Sequence, residues 1–279
     1  MAKTATHRLS PSAGSDRART QKVPDGKSMH HQLKLRQLEE SDYESIREIM
    51  NLVYGHAGGA WTRKQYRAML GRFAEGQLCI EDKGKVVAAS LSLIVDYKRY
   101  GDNHTHKQIT GSGYFTTHDP HGDSLYGVDV FVHPDYRGLR LGRRLYDARK
   151  ELCRKLNLRR IVFGGRIPHY DEHVGKMTPQ RYIELVKNRE LYDPVLSFQL
   201  SNDFHVRRVI TGYLPEDEES HAYAVISQWI NIEYEEKKPP LIGGQKRVVR
   251  VGAVQWQMRP ASALDELRVQ LRYFVSVVS

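Results

Sequence analysis

The sequence predicts an α+β (mixed α/β) domain organised around one central sheet, and three observations lead there. Period-two and period-3.6 segments alternate in the order β-α-α-β-β-β-α-β-α-β-β, which one layered sheet with flanking helices accommodates. A buried strand over Leu125–Val132 runs through a glycine-bearing loop into an amphipathic helix over Arg143–Leu156. No run of eighteen apolar residues occurs, so no membrane span competes with the globular reading.

Each element has its own signal. Residues 1–29 are Ala, Ser, Thr, Arg and Lys with almost no large apolar side chains, so burial cannot offset their ordering entropy and a disordered basic tail is expected. The same basic, acid-poor composition also suits an organelle transit peptide. Leu33-Lys34-Leu35-Arg36-Gln37-Leu38 alternates as a half-buried strand. Ser41 and Glu44 are spaced as a capping box for a helix carrying Tyr43, Ile46, Met50 and Val53 on one face. Thr62 and Gln65 repeat that signal ahead of Tyr66, Met69, Leu70 and Phe73. Gln77–Glu81 and Val86–Val95 read as strands joined by Asp82-Lys83-Gly84, which has hairpin chemistry. A polar loop, roughly Arg99 to Asp123, carries His104, His106, His118 and His121; their spacing fits no standard metal site. Arg160–Phe163 is a further strand, ended by Gly164-Gly165 in an ordinary turn or at a close approach of ligand to backbone. Thr178-Pro179 opens a helix with Tyr182, Leu185 and Val186, and Val206–Tyr213 and Ala222–Ile232 are two last strands around an acidic turn. The predicted domain spans 30–234, a charged Pro/Gly-rich linker 235–247, and a separate segment 248–279.

Composition bounds the partners. With 279 residues and 40% hydrophobic content the chain can bury a sizeable core. The net charge of +10 and pI near 9.5 favour anionic partners such as phosphate-bearing molecules. Only Cys79 and Cys153 are present, which offers no disulfide framework and points to the cytoplasm. The arginine cluster lacks interleaved aromatics, which argues against nucleic acid as its target. A homodimer is left open.

The chemistry concentrates where the central strand meets its helix. The apolar strand stops at Pro134, and the loop to Gly142 leaves backbone N–H groups at a helix N-terminus, an arrangement that attracts anions. Arg137, Arg140, Arg143 and Arg144 crowd this spot, although a helix N-terminus ordinarily prefers Asp or Glu. A solvated basic face would tolerate that conflict, whereas a polyphosphate would resolve it. Asp129 is the one carboxylate inside the apolar strand and a candidate general base, or else a group satisfied by neighbouring arginines and amides. Tyr126, three residues earlier, is a second candidate, which plain alternation puts on the opposite face.

At these residues the sequence resembles the GNAT N-acetyltransferase family. Arg137, Gly138, Leu139, Arg140, Leu141 and Gly142 match its Arg/Gln-x-x-Gly-x-Gly/Ala motif after the apolar-His-Pro tripeptide Val132-His133-Pro134, and the resemblance covers roughly Leu33 to Glu233. It departs at the fourth position, where Arg140 replaces glycine and must turn its side chain outward. The resemblance implies a single, mostly antiparallel sheet and acetyl-CoA as co-substrate. It implies that amides of Arg137 through Gly142, with Arg143, hold the pyrophosphate, and that Phe131 and Val132 pair strand-like with the pantetheine arm. It also implies an amine acceptor, either a small molecule or a protein lysine. An amine of pKa near 10.4 is neutral in only about one molecule in 10³ at pH 7, so a base is worth roughly 4 kcal/mol. A backbone N–H of the strand would stabilise the oxyanion in such a family. The tyrosine acid often found in a later helix has no counterpart in Leu196–Phe204, and Tyr192 is the nearest tyrosine.

Val248–Pro260 resembles the opening strand of the carbon–nitrogen hydrolase (nitrilase/amidase) family, which is known downstream of a GNAT domain. That family's Glu, Lys and nucleophilic Cys lie well beyond an opening strand, and no cysteine follows Cys153, so no hydrolase activity is expected from 248–279. A non-catalytic CoA-binding module regulating an amidase is the second functional reading.

Overall fold

A computed structural model of the chain describes residues 30–55 and 59–236, together with Arg268. The chain divides into two units, Met1–Glu235 and Glu236–Ser279, and every helix and strand named below belongs to the first. The expected N-terminal tail, most of the linker and nearly all of the hydrolase-like segment lie outside the described residues.

The order is β1 (Leu33–Gln37), α1 (Tyr43–Tyr54), α2 (Arg63–Phe73), β2 (Leu78–Asp82) and β3 (Lys85–Val95), followed by two single-turn helices, α3 (Tyr97–Tyr100) and α4 (His106–Ile109). Then come β4 (Ser124–Val132), α5 (Leu141–Lys155), β5 (Arg160–Gly165), α6 (Pro179–Lys187), α7 (Pro194–Ser201), β6 (His205–Thr211) and β7 (Tyr223–Ile230). The seven strands form one sheet in the order β1-β2-β3-β4-β5-β7-β6, antiparallel everywhere except at β4–β5. The α+β class with a mostly antiparallel sheet is as the sequence predicts.

Local chemistry explains most boundaries. Thr62 caps α2, its hydroxyl accepting from Gln65 N while Thr62 N donates to Gln65 Oε1. The β2–β3 hairpin turns through Lys83 and Gly84, both at positive φ (52° and 84°), the backbone of a type I′ turn. The box expected of Ser41 and Glu44 forms instead between Glu39 and Asp42, because a short 3-10 turn over Glu40–Asp42 precedes α1. Three further expectations are corrected. The loop after β3 contains α3 and α4, which Asp96 and Thr105 cap. Strand β5 runs through Gly164 and Gly165 instead of stopping before them, both pairing with β7. Helix α7 sits in a stretch to which the predicted element order assigns no helix; Leu196 and Gln199 are buried and Phe198 is partly so, which erases a one-sided pattern.

Each face of the sheet carries a core. On one, Tyr43, Ile46 and Met50 of α1 and Tyr66 and Met69 of α2 pack on Leu91, Leu93, Tyr126 and Phe131. On the other, Leu141, Leu145, Tyr146 and Leu152 of α5 pack on Val87, Ala88, Leu125, Ile161 and Phe163. Strand β4 departs from a regular ladder on both of its edges. Its pairing with β5 is confined to Ser124–Tyr126 opposite Arg160–Val162, after which the strands part. Its register with β3 slips so that Leu91 faces Asp129 and Ser92 faces Gly127, leaving Val128 as the extra residue of a β-bulge.

Candidate functional site

The parting strands open a cleft of about 510 Å³ lined from several elements, among them Tyr54, Trp61, Asp129, Arg149, Phe198 and Tyr213. Splaying creates it: beyond Tyr126 and Val162 the facing edges of β4 and β5 have no strand partner in each other.

The loop into α5 follows the C-terminal end of β4. Pro134–Tyr136 makes a 3-10 turn, Arg137 is extended, Gly138 takes φ +84°, and Arg140 is left-handed at φ 58°, ψ 25°. Helix α5 therefore begins at Leu141, two residues before the expected start, and Gly142 falls in its first turn. The first intrahelical donor is Arg144 N, bonding Arg140 O at 3.2 Å; backbone N–H groups from Gly138 to Arg143 meet no acceptor among the described residues. Arg137, Arg140, Arg143 and Arg144 are exposed, and none makes an ion pair among the described residues. A Cβ on Gly142 would lie 2.9 Å from Cζ of Phe198, so α7 packs directly against the helix start. Phe131 and Val132, opposite Ala89 and Ala88 of β3, form the last stretch of β4 before the loop.

Asp129 reaches the cleft in mid-strand. Tyr54 donates to its Oδ1 at 2.7 Å and Trp61 Nε1 to its Oδ2 at 3.3 Å. Burial pushes its carboxyl above the ordinary range, and the two donors and the nearby Arg149 only partly oppose this. A carboxylate held ready to accept a proton nearer neutrality results.

Tyr126 is placed differently from expectation. The bulge at Val128 restores it to the Asp129 face of the sheet, yet its side chain is fully buried and does not line the cleft. Gly101 O can only accept, at 2.8 Å, so His104 carries its proton on Nδ1 and offers Nε2 to the Tyr126 hydroxyl at 2.8 Å. Tyr126 O then accepts from Tyr213 at 2.8 Å, and it is Tyr213 that borders the cleft. His106, between Trp61 and Tyr213, is pulled by burial to a pKa of about 4 and is neutral at pH 7. Arg166 also lines the cleft but is held by both oxygens of Asp217 and by Glu219 at 2.7 Å. Tyr192 is exposed and outside the cleft. The loop histidines diverge: His104 joins the tyrosines, and His118 accepts from Ile94 N at 3.1 Å. Among the described residues no group of His, Cys, Asp and Glu could hold a metal ion.

Sequence reading missed Tyr54, Trp61, Arg149 and Tyr213. Tyr54 ends α1 and Trp61 lies in the loop just before α2, both far from β4 in the chain. Arg149 was detectable, since it interrupts the inward stripe Leu145–Leu152 at an i+4 position.

A split parallel pair in an otherwise antiparallel sheet, with an amide-rich turn at the end of one strand, defines an acyltransferase-type fold. The chain belongs to the acetyltransferase (GNAT) family, whose model matches residues 43–170. It is 37% identical over 174 residues to Uncharacterized N-acetyltransferase YkwB of Bacillus subtilis (strain 168), covering 62% of this chain and 76% of that one. It is 38% identical over 245 residues to Probable hydrolase YhcX of the same organism, covering 88% of this chain but 48% of that protein, so it spans about half of that relative's length. Among solved structures, the loading GNATL domain of CurA from Lyngbya majuscula matches with TM-score 0.63, 20% identity, and 71% and 97% of the two chains. GphF GNAT-like decarboxylase in complex with isobutyryl-CoA matches with TM-score 0.60, 20% identity, and 71% and 98%. At that identity these likenesses establish the fold. No helix among the described residues is long and apolar enough to cross a membrane.

Proposed function

We propose that the domain transfers an acetyl group from acetyl-CoA to an amine by direct attack while both are bound. The observation that carries this is the run of N–H groups from Gly138 to Arg143, which meet no acceptor among the described residues, beside four arginines that make no ion pair among them. Donors and charge gathered there suit the CoA pyrophosphate, and the family's relatives make that the natural occupant. Phe131 and Val132 would pair with the pantetheine arm along the unpartnered edge of β4. The acyl end would then lie between the strands near Asp129, which takes the proton of the incoming ammonium. The amine lone pair forms the C–N bond, the C–S bond breaks, and the leaving thiolate takes the surplus proton that remains on the nitrogen, giving a neutral amide and free CoA thiol while Asp129 returns its proton to solvent. A thiol of pKa about 8.5 is a competent leaving group, so the acid tyrosine without a counterpart in Leu196–Phe204 is dispensable.

Calorimetry with acetyl-CoA, followed by thiol release with a panel of amines, tests the reading. Binding abolished by Arg137→Glu with Arg143→Glu, and turnover with at least one amine, are expected. Absence of any binding overturns it; tight binding without turnover across small amines and lysine peptides favours the non-catalytic module instead.

A further inference from the structure

Arg149 breaks the pattern of its helix. It lies on the inward stripe of α5, between Leu145 and Leu152, and is 1% exposed. Moving a guanidinium out of water costs several kcal/mol unless an anion or a full set of acceptors compensates it. No carboxylate pairs with Arg149 among the described residues. Its Nη2 donates to Leu91 O at 3.0 Å and to Asp129 O at 2.9 Å, two carbonyls beside the bulge at Val128. Those bonds explain one nitrogen. Nε is buried without a partner, and Nη1 makes no hydrogen bond among the described residues.

The position of Nη1 is informative. A Cβ on Gly127 would lie 2.8 Å from it and 3.2 Å from Cδ1 of Phe163. Gly127 and Phe163 are the first residues beyond the last β4–β5 pair, Tyr126 with Val162. The guanidinium therefore sits at the vertex of the splayed strands, in space that the missing side chain of Gly127 leaves open. With its pyrophosphate at Gly138–Arg143 and its pantetheine arm along the free edge of β4, as in the proposed function, a thioester would bring its acyl end toward that vertex.

We propose that Arg149, through Nη1, donates to the acyl oxygen of the bound thioester and stabilises the charge that develops there. This rests on the acetyl-transfer reading. The charges stay balanced through the step. As the amine nitrogen bonds to the acyl carbon, the carbonyl electron pair moves to oxygen, facing Arg149. Asp129 takes the ammonium proton and becomes neutral, so the compensating negative charge passes from Asp129 to the acyl oxygen while the guanidinium stays fixed. Collapse restores the C=O bond and expels the thiolate, which takes the remaining surplus proton from the nitrogen, so that a neutral amide and a free thiol result and Asp129 releases its proton to solvent. Preorganised donors of this kind act strongly because they need no rearrangement during reaction.

Isotope-edited infrared spectra of acetyl-CoA labelled with ¹³C at the carbonyl test this on the wild-type chain first. The carbonyl band is expected to move to lower frequency on binding. Arg149→Met should return it toward the free position, reduce kcat by about 10²–10³-fold, and leave CoA affinity within about threefold. A bound wild-type complex with an unshifted band overturns the proposal whether or not any variant folds. So does a kcat loss matched by an equal loss of CoA affinity or explained by unfolding in thermal melts. Succinyl-CoA and malonyl-CoA serve as the third arm: if either binds the wild type over tenfold better than acetyl-CoA and Arg149→Met removes that preference, Arg149 holds a substrate carboxylate and the acyl-oxygen role fails. If acetyl-CoA does not bind at all, the underlying acetyl-transfer reading falls first, an outcome distinct from a bound complex without a band shift.

Discussion

Tyr54, the last residue of α1, donates its hydroxyl proton at 2.7 Å to Oδ1 of Asp129, 75 positions later in the chain. The bond favours the charged carboxylate against the burial that raises its pKa. Tyr54→Phe should therefore raise the Asp129 pKa further. The acidic limb of kcat/KM, which requires the carboxylate form, moves to higher pH. A pH–rate profile of wild type and variant checks it, and an unmoved limb assigns the titration to another group.

Asp129→Asn keeps the shape of the side chain and removes the proton acceptor. We expect kcat to fall by about 10²–10⁴-fold, the usual worth of a positioned base, with acetyl-CoA affinity within threefold. Retained turnover with a preformed neutral amine at high pH would still be consistent with this role. Unchanged turnover at pH 7 would remove Asp129 from it.

Arg140 and Gly138 both hold positive φ, at a cost only for the first. Arg140→Gly should stabilise the domain by about 1 kcal/mol, which for a domain of this size raises the melting temperature by about 2–4 °C. Gly138→Ala should lower it comparably. Since the Arg140 N–H survives replacement, acetyl-CoA affinity of Arg140→Gly falls only by the share its charge contributes, about tenfold or less. Differential scanning calorimetry and titration calorimetry read the two effects separately.

Stability in acid depends on a pair far from the cleft. Asp42, 8% exposed, accepts from Nη1 and Nη2 of Arg36 at 2.7 and 2.9 Å. Burial alone would raise its pKa, but the Arg36 guanidinium and the Glu39 N–H outweigh it and hold the carboxyl below its ordinary value. A depressed folded pKa means the stabilisation is complete above the unfolded value near 3.9 and is lost as pH falls through the lower folded value. Arg36→Met should move the acid-unfolding midpoint to higher pH and cost about 3 kcal/mol at pH 7, because it leaves a buried carboxylate unpaired. Circular dichroism across a pH series measures both.

How much of the molecule was legible in the sequence depends on where each signal resides. Arg137–Gly142 could be read because an amide-rich turn is local: glycines, arginines and the end of an apolar strand are adjacent in the chain. The hairpin at Lys83-Gly84 and the cap at Thr62 are local too. The side of the sheet to which Tyr126 belongs was not legible, since one extra residue at Val128 inverts strict alternation and only pairing with β3 reveals it. Helix α7 was missed because contacts on more than one side remove the polar–apolar contrast that periodicity needs. The hydrogen bonds that tune Asp129 come from Tyr54 and Trp61, whose proximity only the tertiary fold creates.

The three-residue contact between β4 and β5 has a mechanical consequence. Among the described residues it is the sole strand-to-strand seam between the β1–β4 half of the sheet and the β5–β7–β6 half. A molecule lying along the gap would act as a temporary eighth strand and lock the halves together. Amide protons on Gly127–Val132 and Phe163–Gly165 would then exchange more slowly in unison, making this domain's rigidity a property of what it carries.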